Sequence, residues 1–77
     1  MKIKLGQMYY LEYKNTQCYA EIIAKYQVLP WATYDVKVIK FFGGSKGDIT
    51  LDGQYNWPPE AIKQVVPEHI AKVLYEN

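Results

Sequence analysis

The chain has 77 residues, of which 49% are hydrophobic and 22% charged, and nine lysines against eight acids leave a formal net charge of +1. That length suits one small domain (residues 1–77) of modest stability, and the hydrophobic share sets it apart from disordered chains. No arginine is present, so the planar fork that reads guanine edges and clamps phosphates is missing, which argues against sequence-specific DNA binding.

Met8 to Tyr13 is rich in strand-favouring aromatics, and alternation places Tyr9, Leu11 and Tyr13 on one face. The polar break Lys14-Asn15-Thr16-Gln17 joins it as a hairpin to a second strand at about Cys18 to Tyr26. In that strand Cys18, Ala20, Ile22 and Ala24 share the inward face. Gln27 to Thr33 contains Leu29-Pro30-Trp31, and proline removes a ladder donor, so a longer loop carrying an exposed tryptophan is expected here. Tyr34 to Phe42 alternates most clearly, with Tyr34, Val36 and Val38 inward and Asp35 and Lys37 outward, and reads as strand three. Gly43 to Asp48 is a flexible turn, Ile49-Thr50-Leu51 a short fourth strand, and Asp52-Gly53 a second turn. Asn56-Trp57-Pro58-Pro59-Glu60 reads as the start of a short helical segment over 59–65, stopped by Pro67. Residues 71–75 are read as a closing strand in preference to a second helix.

The run from Leu5-Gly6-Gln7 to Tyr13, then Tyr19-Ala20-Glu21-Ile22, then Tyr34-Asp35-Val36-Lys37-Val38 to Phe41-Phe42-Gly43 resembles a Tudor or chromo-barrel domain of the SH3-like barrel class. The likeness covers about the first 44 residues and rests on strand rhythm. It implies a mainly β fold: a small, bent antiparallel barrel of about five strands, with a short helical insertion before the last one. It also implies recognition of a peptide, a methylated side chain or a nucleic acid at rim aromatics, with Tyr13 and Phe41 or Phe42 in the cage positions.

Reactive chemistry is sparse. His69 is the single histidine and sits in an expected turn, while Cys18 alternates with the apolar face, so a buried structural thiol outweighs a Cys18–His69 nucleophile and base. Asp48 and Asp52 lack the further oxygen ligands of a calcium loop, and Gly43-Gly44-Ser45-Lys46-Gly47 lacks P-loop spacing. No enzyme, metal or cofactor is therefore expected. A lone cysteine, a charged start at Met1 to Gly6 and no apolar run of about 18 residues point to a cytoplasmic protein without a membrane role.

Twelve aromatic residues, eight of them tyrosine, exceed what so small a core holds. Some must face outward, and rings at the surface concentrate binding energy. The expected function is a binding module, or a small regulator or inhibitor of bacterial or phage style, that contacts a protein partner through Tyr13, Trp31, Phe41, Phe42 and Trp57. The alternative is single-stranded or structured nucleic acid, held by ring stacking with Lys14, Lys37, Lys40 and Lys46 on the phosphates. Oligomeric state is not readable, although a free edge of strand one or three would suit a dimer.

Overall fold

The computed structural model describes residues 2–28, 30–44 and 49–76. They form β1 (Met8–Tyr13), β2 (Thr16–Val28), β3 (Trp31–Gly44), β4 (Gln54–Trp57), a 3₁₀ turn (Pro59–Ala61), β5 (Ile62–Val65) and α1 (Glu68–Glu76). The fold is mainly β, a single antiparallel sheet in the order β4-β3-β2-β1-β5. The 3₁₀ turn is the short helical segment before the last strand.

Alternation sorts the residues as expected except for Ala24, which the register shift after Ile22 leaves half-buried and outside the core cluster. Tyr9 and Leu11 of β1, Cys18, Ala20 and Ile22 of β2, and Tyr34, Val36 and Val38 of β3 are all buried in one cluster with Trp57, Ala61 and Ile62. The buried Tyr9 hydroxyl is satisfied by the N-terminal segment: it accepts from the Lys4 N–H at 3.0 Å and lies 3.3 Å from the Lys2 carbonyl. Register shifts between Gln17 and Cys18, Tyr19 and Ala20, and Ile22 and Ala24 bend the β2–β3 ribbon. The bend curls the sheet so far that the Trp57 ring of β4 meets the Tyr13 ring of β1 at 5.5 Å, although β3 and β2 lie between those strands in the order. The curl stops short of hydrogen-bonded closure, because β4 and β5 remain the two edges.

Several expectations are corrected. The first hairpin turns on two residues, Lys14 (φ 48°) and Asn15 (φ 64°), so β2 already starts at Thr16. No long loop spans 27–33: β2 and β3 stay paired as far as Val28 opposite Trp31, and Pro30 sits in the turn where no ladder donor is needed. Ile49–Leu51 is not a strand. Asp52 at φ 61° donates from its N–H to the Val38 carbonyl at 2.8 Å, and the fourth strand follows at Gln54. The helical segment ends at Ala61, and 62–65 is instead claimed as β5 by the open side of β1. Residues 71–75 belong to α1, not to a closing strand. β1 and β3 are interior strands in the sheet order, flanked by β5 and β4, although β4 pairs with β3 only from Tyr34 to Lys37. Ser45 to Asp48, with the proposed turn, lie outside the described residues.

α1 covers the outer face of the sheet at one end. Met8 (1% exposed) and Val66 (3%) are buried yet stand apart from the main cluster, and they line a groove of about 630 Å³ with Leu5, Ala71 and Tyr75. α1 itself buries no residue fully, and the Tyr75 hydroxyl ties it to the sheet by donating to Glu21 Oε1 at 2.9 Å. No helix among the described residues is long and apolar enough to cross a membrane.

Candidate functional site

The rings divide into an inner and an outer set. On the inner side Tyr55 stacks on Trp57 with centroids 5.9 Å apart, and Tyr13 closes on the same indole. Tyr55 is held from behind, because the Thr50 N–H donates to its hydroxyl at 2.8 Å. Trp57 is only 5% exposed and belongs to the core. On the outer face Tyr10 lies opposite Tyr19, and their rings meet edge-on at 6.2 Å. Phe42 joins them, 4.4 Å from Tyr19 and 6.2 Å from Tyr10.

Phe42 reaches that face because of a bulge. Cys18 pairs with Phe41 and Gln17 with Gly43, which leaves Phe42 as the extra residue, free of the strict alternation. Phe41 therefore packs half-buried against the core, while Phe42 is 49% exposed. Tyr10, Tyr19 and Phe42 line a slot of about 270 Å³ together with Gln64, Val65, Val66 and Pro67. The Lys40 ammonium stands 5.6 Å from the Phe42 ring centre. Lost hydration, and then a hydrogen bond to Glu12, raise the Tyr10 phenol above its ordinary value. A separate polar depression of about 290 Å³ is lined by Glu12, Lys14, Gln17 and Lys63 among others.

The second exposed feature is the end of the β2–β3 ribbon. β1 pairs with β2 only as far as Glu21, and β4 pairs with β3 from Lys37 to Tyr34, so residues 25–28 and 31–33 extend as a two-stranded arm. Trp31 at its tip is 70% exposed, with Tyr26 also exposed. Between Lys25 and Asp35 the sequence carries no charge. At the base, a hydrogen bond to Asp35 raises the Tyr26 phenol, and Asn56 Nδ2 donates to Asp35 Oδ1 at 2.9 Å.

The residues expected at the site thus scatter. Tyr13 and Trp57 meet on the inner side, Phe42 lies on the outer face, Phe41 supports the core and Trp31 stands at the arm tip. A Tyr13–Phe42 cage does not form, since the two rings belong to different sets. Of the lysines, Lys14 lies 5.4 Å from the Tyr13 ring centre, Lys40 is over Phe42, Lys37 pairs across the strands with Glu21, and Lys46 is outside the described residues. Tyr10 and Tyr19 are the residues that sequence reasoning missed. Their outward parity was legible in β1 and β2, but what unites them with Phe42 is a bulge that no local signal announces. Cys18 is fully buried, and burial pushes its thiol up to about 11, whereas His69 lies exposed on α1. Among the described residues no group of three or more His, Cys, Asp or Glu is placed to hold a metal ion. The chain matches no protein-family model, no curated protein and no solved structure, so these surfaces are read from its own residues alone.

Proposed function

We propose that the chain is a non-enzymatic protein-binding module, a small regulator or inhibitor on an SH3-like barrel scaffold, that seats Trp31 in a pocket of its partner. The observation that carries this reading is the 70% exposure of Trp31 at the end of an arm that carries no charge beyond Lys25 at its base, while Trp57 is buried. A two-stranded ribbon gains little stability from itself. An exposed indole at its tip adds nothing to the fold and suits a desolvated contact, where a tryptophan anchor contributes about 2 kcal/mol or more. The inaccessible Cys18 thiol supports contact over bond chemistry. The curled five-stranded sheet supports the barrel scaffold.

Affinity capture from cells of the source, with the native chain and with Trp31→Ala, tests the reading. Partners held by the native chain are expected to be lost with the variant, and equal capture by both would refute it. The nucleic-acid alternative is an outcome of the same experiment. Captured RNA or DNA whose binding falls steeply with salt would replace the protein partner, because phosphate contacts release counterions while an indole in a pocket does not.

A further inference from the structure

We propose that α1 is a detachable cover: it melts off the sheet while the strands stay folded, and its release joins Met8 and Val66 to the ring slot as one apolar strip. This goes beyond the arm reading and does not depend on Trp31. Nine residues are too few for a helix to hold itself in water, because its first turn fixes several residues for a single hydrogen bond, so α1 depends on what it docks against. That docking is slight. Ala71 and Leu74 are half-buried, Ile70 and Val73 are exposed, and no residue of α1 is buried fully. Among the described residues the bond from the Tyr75 hydroxyl to Glu21 Oε1, at 2.9 Å, is the one hydrogen bond between α1 and the sheet, and it is open to water.

The two ends of α1 are held unequally. At its start the Val66 N–H donates to the Met8 carbonyl at 3.0 Å, and the proline that follows confines Val66 to extended backbone. At its other end the tie is Tyr75, so breaking that bond frees the last turn and lets the helix unwind towards Pro67. Glu21, which receives the tie, pairs with Met8 across the strands, so the bond fastens beside the residue that α1 shields. Met8 and Tyr10 are alternate residues of β1 that share the outer face at about 7 Å spacing, and Tyr10 lies opposite Tyr19. Val66 lines both the groove beside α1 and the ring slot. Once α1 is released, Met8, Val66, Tyr10, Tyr19 and Phe42 therefore lie on one apolar face, of which the closed form shows only the ring end.

Hydrogen exchange of the full chain, followed by amide NMR at urea concentrations below the unfolding transition, tests the cover. The amides of Lys72 to Glu76 are expected to be less protected than the paired amides of β2 and β3 and to depend more weakly on urea, because their opening exposes little surface. Tyr75→Phe and Glu21→Ala should each speed exchange in α1 about fivefold, the effect of one hydrogen bond open to water, and leave β2 and β3 unchanged. The two together should do no more than either alone, since they remove the same bond. In a Met8→Cys, Cys18→Ala chain, thiol labelling at position 8 is expected without urea, and about fivefold faster once Tyr75→Phe is added. Exchange in α1 that shares the protection and urea dependence of β2 and β3, or that Tyr75→Phe leaves untouched, would overturn the proposal. So would labelling at position 8 that begins only where the whole sheet unfolds.

Discussion

The two tryptophans have opposite consequences for the molecule. Removing the Trp57 indole opens a cavity beside Tyr13 and Tyr55, and Trp57→Ala is expected to cost about 3–5 kcal/mol in urea unfolding. Trp31→Ala, which deletes an exposed ring, is expected to stay within about 0.5 kcal/mol of the native chain. The sequence put both beside prolines, which marked them as irregular. Only their exposure separates the one that folds the chain from the one available to a partner. Cys18 makes a second prediction. Its folded thiol is raised by burial to about 11 from an ordinary value of 9.0, so the unfolded chain loses that proton first. The thiol's contribution to stability is therefore whole below pH 9 and is lost between pH 9 and 11. Urea midpoints across that range should fall more steeply for the native chain than for Cys18→Ala.

Elements were legible wherever alternation had one face to bury, as in β1, the centre of β2 and β3. Turns were less so, because the chain uses Lys14 at positive φ where glycine or asparagine is the ordinary choice. Holding a lysine in the left-handed region costs about 1–2 kcal/mol, and an asparagine less. Asn15→Gly should recover part of this and raise the urea unfolding free energy by about 0.5–1 kcal/mol. An unchanged or lowered value would mean that the asparagine side chain compensates. The most instructive difference concerns two similar signals, Pro59-Glu60 and Pro67-Glu68. The first reads locally as a helix start, the second as a turn before a closing strand, and the structure reverses the two. The first makes only a 3₁₀ turn, because Ile62 to Val65 finds the open side of β1 waiting as a pairing partner. After Pro67 no strand competes, the Ile70 and Ala71 N–H groups bond back to the Pro67 carbonyl at 3.0 Å, and α1 forms.

At the scale of the whole molecule, the sheet carries two faces with separate duties. The inner face is the core, and the outer face is shared between α1 over Met8 and the ring slot beside it. Because α1 buries no residue fully, a chain ended after Pro67 should keep its near-ultraviolet circular dichroism. It should lose about 1–3 kcal/mol as Met8 and Val66 meet water, and bind more of an apolar fluorescent dye. Outright unfolding would show that α1 is part of the core.

By itself the sequence determined the β class, the inward residues of three strands, the burial of Cys18 and the surplus of rings, because a two-residue period and composition are local properties. Tertiary structure alone decided which rings meet. The Phe42 bulge, the curl that carries Trp57 to Tyr13, and the choice of β5 over a longer helix all depend on partners distant in the chain. Such pairings are settled by which hydrogen-bonding edges remain open once the nearer strands have joined.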